Sequence, residues 1–218
     1  MLDKPTLVDC AAARIGSDLT TRPDEEVLAA VLRLDGGSGV PTSLIGRFGS
    51  LTRVFGASIC ELERIDGMDQ AMAQALHACR VLSERVLREK VSKRCVISSW
   101  SALLAYAKVS LAGVGREQFR VYFLDKANGL IADEVMGHGT VDHAPVYPRE
   151  VMRRALELDA SALILAHNHP SGDPTPSTAD IDMTRQVIEA GRALKIAVHD
   201  HLVVGVDSVA SFKALGLI

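Results

Sequence analysis

Two histidines one residue apart, His167 and His169, close the apolar run Ala162-Leu163-Ile164-Leu165-Ala166. A Pro/Gly-rich turn then leads to Ser177 and Asp180. Imidazole nitrogens and a carboxylate oxygen are natural zinc ligands, and three of them leave a fourth position for water. Residues i and i+2 of a strand project to the same side, so both rings can serve one ion. Ser177-x-x-Asp180 has a second account. It is the spacing of a capping box, with Ser177 as N-cap of a helix. On spacing alone both accounts stand.

The elements that must position these groups can be read from pattern. Ala162–Ala166 predicts a buried strand, and Thr178 to Leu194 a helix with Ile181, Val187, Ile188 and Leu194 on its apolar points. Upstream, Glu117 to Leu124 alternates with period two. Asn128-Gly129 marks a hairpin and Leu130–Met136 the returning strand. Pro148 opens a helix reaching about Leu158. Cys95-Val96-Ile97 reads as a short strand, Trp100–Leu111 as a helix, Ile196–Val206 as a strand and Ser208–Leu215 as a closing helix. Residues 95–218 are thus expected to form an α/β sandwich of two or three layers around a mixed sheet.

Residues 24–91 read differently, as a small all-α domain. Helical stretches are predicted over Val27–Leu34, Thr42–Phe48, Leu51–Phe55, Ser58–Ile65 and Gln70–Lys90, separated by Gly and Asp-Gly punctuation. Residues 1–23 are expected to be an arm, and a linker is placed near Val91-Ser92-Lys93-Arg94.

The 218 residues, 48% hydrophobic and 23% charged, are ordinary for a water-soluble chain with one large or two small domains. No apolar run approaches a membrane span. Met1-Leu2-Asp3-Lys4-Pro5 lacks the pattern of a secretory signal, so a cytoplasmic location is expected. Cys10, Cys60, Cys79 and Cys95 are scattered and read as reduced thiols. A net charge of −3, with no run of four basic residues, disfavours a strong nucleic-acid binder. Nucleotide-cradling glycine motifs and a Gly-x-Ser-x-Gly nucleophile are absent. A second His-x-His, at His199-Asp200-His201, could in principle add a metal ligand. A carboxylate–histidine pair orienting a ligand from behind, or plain packing, is the favoured reading. His77 is expected to be structural.

His167-x-His169, seven residues, Ser177, two residues and Asp180 together match the JAMM (MPN-type) zinc metalloprotease signature. His167-Asn168-His169-Pro170-Ser171-Gly172-Asp173-Pro174 resembles the form this stretch takes in RadC-family proteins. The resemblance implies a cytidine-deaminase-like, JAMM-type α/β fold with Zn2+ held by His167, His169 and Asp180. It implies Ser177 beside the bound water or the developing oxyanion, and an upstream glutamate, fitted by Glu117, as general base. Asp200, His201 and Asn168 are supporting or groove candidates. His138 and His143, flanking Gly139-Thr140, are placed at the border of a substrate groove.

The helical half resembles the helix-hairpin-helix region of RadC proteins through Phe48-Gly49-Ser50-Leu51, Glu61-Leu62 and Ile65-Asp66-Gly67-Met68. Such hairpins use a second glycine where this chain has Asp69, and a carboxylate there repels phosphate. The function implied is zinc-dependent hydrolysis of amide bonds in a peptide or protein substrate. A DNA-associated repair accessory protein and a metal-binding scaffold without turnover are the alternatives.

Overall fold

Short helices need help from their ends, because the first turn fixes several residues for one hydrogen bond. The N-terminal part of the chain supplies that help repeatedly. The computed structural model describes residues 19–35, 37–92, 96, 99–139 and 146–218, divided into two compact units, Met1–Cys79 and Arg80–Ile218. Most of the expected arm, the second half of the linker (Lys93 and Arg94), and Cys95 and Ile97 of the expected strand, together with Cys10 and His143, lie outside the described residues.

The first unit contains α1 (Asp24–Leu32), α2 (Val40–Phe48), α3 (Leu51–Gly56), α4 (Ile59–Leu62) and the start of α5 (Gln70–Ser92). Asp24, Glu25 and Glu26 place negative charge at the positive end of α1. Ser50 caps α3 by accepting the Arg53 N–H, and Ser58 forms a reciprocal capping box with Glu61 on α4. Asp69 caps α5, its Oδ1 accepting the Met72 N–H at 2.8 Å. Gly67 is required for two reasons. Its φ is +86°, and a Cβ would come within 2.9 Å of Val40 Cγ2. Leu28, Leu44, Val54, Leu62, Ala73 and Leu76 form the core of this unit.

The second unit is built on a five-stranded sheet, in the order β2-β1-β3-β4-β5. Its elements are the end of α5, then α6 (Trp100–Leu111), β1 (Gln118–Leu124), β2 (Leu130–His138), α7 (Pro148–Glu157), β3 (Ala162–Asn168), α8 (Thr178–Leu194), β4 (Ala197–Val204) and β5 (Val209–Ser211). β1 pairs antiparallel with β2 and β3, while β3 and β4 are parallel and joined through α8. Tyr122, Leu124, Ile164, Ala166, Leu202 and Val204 pack on one face with α6 and Val91. Phe119, Val121, Phe123, Leu163 and Leu165 pack on the other with α7 and α8. The mixed α/β architecture is the expected one, in its three-layer form. Among the described residues no helix is long and apolar enough to cross a membrane.

Two details depart from the pattern reading. The expected closing helix over Ser208–Leu215 is not formed. Val209–Ser211 instead pairs antiparallel with β4, and Phe212 is fully buried. Asp200 explains the extended backbone, since its carboxylate accepts from Ser211 Oγ at 2.5 Å and from the Lys213 N–H at 3.0 Å. The second departure is a bulge. Leu163 is opposite Val198 but Ile164 is opposite Asp200, so His199 is an extra residue in β4.

Gly191 sets how closely the chain leaving α8 folds back towards β4. Lys195 turns the chain at φ +58°, and Ile196 N–H then donates to the Gly191 carbonyl at 2.9 Å. A Cβ on Gly191 would come within 2.6 Å of the Ile196 carbonyl oxygen, a backbone atom with little room to move. Gly191→Ala should lower unfolding free energy by about 1–3 kcal/mol, measured by urea denaturation. An unchanged midpoint would contradict this packing account.

Candidate metal centre

β3 is buried along its whole length and ends with His167 facing α8 and His169 just beyond it. The following turn is specified residue by residue. Gly172 N–H donates to the His169 carbonyl at 2.9 Å, closing a β-turn with Pro170 at its second position. Gly172 itself has φ +95°. Asp173 Oδ1 then accepts from Thr175 N and Oγ1 at 2.9 and 2.7 Å. This stiffened segment aims the Asp173 carbonyl at His169 Nδ1, 2.7 Å away. A carbonyl only accepts, so neutral His169 carries its proton on Nδ1 and presents a bare Nε2.

The helix start supplies the carboxylate. Ser177 and Asp180 form the expected capping box, and Asp180 Oδ2 accepts from Ser177 N and Oγ at 2.8 and 2.7 Å. The same carboxylate faces both rings. His167 Nε2 lies 3.0 Å from His169 Nε2 and 3.3 Å from Asp180 Oδ1, and His169 Nε2 lies 3.5 Å from Asp180 Oδ2. Zinc bonds of 2.0–2.1 Å in a tetrahedron imply ligand–ligand edges of about 3.3–3.4 Å. The three donors therefore fit a single small divalent cation, and this group could hold a metal ion. Among the described residues no other group of three or more His, Cys, Asp or Glu side chains converges in this way.

The electrostatics agree with such a site. Burial opposes charge on Asp180, yet His167, His169 and Ser177 hold its carboxyl far below the usual range. The Asp180 carboxylate raises the His169 pKa against the effect of burial, with the Asp173 carbonyl and the charge of Glu117 adding to the rise.

Glu117 sits immediately before β1, 93% buried. It is two residues before Phe119, whose ring stacks on His167 at 6.3 Å, so strand alternation puts both on the metal-facing side. Asn168 serves this glutamate's segment. Between the two histidines, it turns to the opposite face and is 99% buried. Its Oδ1 accepts the Gln118 N–H at 2.9 Å and its Nδ2 donates to the Val114 and Arg116 carbonyls at 3.0 and 3.1 Å. The Glu117 carbonyl in turn accepts the Gly139 N–H at 2.8 Å.

The second His-x-His is divided. His199 Nε2 contacts Asn128 Oδ1 at 2.7 Å, in the β1–β2 turn. His201 enters the site from behind, with Nε2 2.8 Å from His167 Nδ1 and Nδ1 2.6 Å from Thr184 Oγ1. Complete burial pushes its pKa well below the ordinary histidine value, and the neighbouring His167 lowers it further. The Asp200 carboxylate does not reach the His201 ring. It accepts from His201's own backbone N–H at 2.7 Å and pins the segment after β5. Thr184 takes the place expected for Asp200, and no sequence motif singled it out. Its signal was the spacing Asp180 to Thr184, one helical turn on the same face.

Residues 97–217 match the family model described as the RadC-like JAB domain. A protein of Rhodobacter capsulatus named UPF0758 protein is 53% identical over 175 residues, covering 80% of this chain and 82% of that one.

Gly205 supports the turn from below. Val206 N–H donates to the Gly172 carbonyl at 3.3 Å, and a Cβ on Gly205 would overlap that carbonyl oxygen and approach Pro174 Cδ at 3.1 Å. Gly205→Ala should displace the Asp173 carbonyl from His169 and weaken metal binding about tenfold, as changes behind metal ligands commonly do. Competition with a chromophoric chelator measures this. Parent-like affinity would show that the turn does not set the His169 ring.

Proposed function

The chain belongs to the RadC family, and from that premise we propose that it is a zinc-dependent hydrolase of amide bonds, peptide or isopeptide. The convergence of His167 Nε2, His169 Nε2 and the Asp180 carboxylate at 3.0–3.5 Å carries this reading. A zinc ion bound there would polarise a carbonyl and bring the pKa of its water towards about 7.

The chain's own groups have distinct tasks. Glu117 takes a proton from the attacking water at its carboxylate and returns it to the leaving amine nitrogen, which is general base and then general acid catalysis. Asn168 holds the segment that carries Glu117. Ser177 is the exposed hydroxyl of the site and is assigned to the oxyanion that develops on the carbonyl oxygen. Before substrate arrives this hydroxyl donates its hydrogen bond to Asp180 Oδ2. The substrate is a peptide or protein and the working location the cytoplasm, with Cys60 and Cys79 outside any disulfide.

The DNA-associated alternative gains nothing from the hairpin. Asp69 occupies the Met72 N–H at the start of α5, a donor of the kind an incoming phosphate would use. The helical unit is assigned a packing or docking role.

Metal analysis with Glu117→Gln tests the proposal. Parent and variant should each hold about one zinc per chain. Hydrolysis of a fluorogenic peptide or isopeptide panel should fall about 10²-fold or more in the variant, the usual scale of general-base catalysis. Absence of metal in the parent would overturn the zinc site, and metal with no turnover in either protein would favour the scaffold alternative.

A further inference from the structure

Thr184 and His201 form a hydrogen-bonded line that ends on a metal-facing ring, and its direction can be deduced from one backbone atom. Thr184 Oγ1 lies 2.6 Å from the Asp180 carbonyl oxygen, one turn earlier in α8. Both atoms are oxygens and the carbonyl only accepts, so the single hydroxyl proton lies between them. Thr184 Oγ1 must then accept from His201 Nδ1, 2.6 Å away. A neutral His201 with its proton on Nδ1 has a bare Nε2, which faces His167 Nδ1 at 2.8 Å. His167 must therefore donate from Nδ1, leaving Nε2 bare towards His169 and Asp180.

We infer that Thr184 and His201 are positioning residues that select the metal-binding tautomer of His167. The line starts at the backbone of Asp180, itself a ligand, so the helix turn that places the carboxylate also sets the proton on the ring opposite. His169 obtains the same tautomer independently, from the Asp173 carbonyl. The His201 ring is held edge-on to Phe119 and packed on Phe212, with centroids 5.6 and 4.6 Å away. That packing opposes the rotation that would reverse its two nitrogens. Removing the Thr184 oxygen frees His201 to carry its proton on Nε2. It would then donate to His167 Nδ1 and force a proton onto His167 Nε2, where the metal belongs.

This inference deepens the metallohydrolase reading and depends on it for its purpose, but its test separates the two. Long-range proton–nitrogen correlation spectra of the full, chelator-stripped chain report imidazole tautomers without any metal. The parent should show Nδ1–H on both His167 and His201. In Thr184→Val, His201 should switch to Nε2–H, and zinc affinity measured by chelator competition should fall about tenfold or more. Thr184→Ser keeps the oxygen and should restore the parent tautomers and affinity. A parent with His201 protonated on Nε2 overturns the inference. So does a folded Thr184→Val protein with parent tautomers and parent zinc affinity. A parent that shows the expected tautomers yet takes no zinc refutes the hydrolase reading while supporting the line itself.

Discussion

Bare acceptor atoms repel one another unless something positive lies among them, and the second unit brings three to one point. His167 Nε2, His169 Nε2 and Asp180 are brought within 3.5 Å by bonds that other groups make to each of them. The Asp173 carbonyl, the His201 ring and the Ser177 backbone and hydroxyl each tie down one of these groups. Acceptor atoms so close together in a largely buried place repel one another, and a cation relieves that cost. The architecture follows from this requirement. β3 must end at the rim of the sheet, α8 must begin a fixed distance away, and the turn between them must be stiff.

Burial does further work here. With water excluded from behind the rings, each hydrogen bond on a ligand has a single partner, and a single partner has a single direction. That is why one carbonyl at the start of α8 can determine where a proton sits two side chains away. Asn168 applies the same economy on the other face, where one amide satisfies three backbone groups and fixes the segment bearing Glu117.

Much of this was readable from the residues. α6 and α8 have the expected bounds, and β1, β2 and β3 lie close to theirs, because their periodicities are strong and their ends carry Pro, Gly or a capping serine. Cap and ligand at Ser177 and Asp180 are compatible readings, since the cap geometry also turns the carboxylate towards both rings. A supporting place for His201 is legible, but not that Thr184 rather than Asp200 meets its ring. Strict alternation from Val198, which packs towards α7 and α8, would put Asp200 rather than His201 on that face. The extra residue at His199 reverses the phase. A bulge has no periodic signature. The segment after β4 has helical local preference yet is extended for a similar reason, because Asp200 and the edge of β4 override that preference.

His167, His169 and Asp180 should together hold one zinc ion, and zinc-edge X-ray absorption on the purified full chain tests this most directly. Nitrogen and oxygen should surround the metal at about 2.0–2.1 Å, with the outer scattering pattern of two imidazoles. A sulfur shell near about 2.3 Å, or protein without zinc after growth in zinc-replete medium, would contradict it.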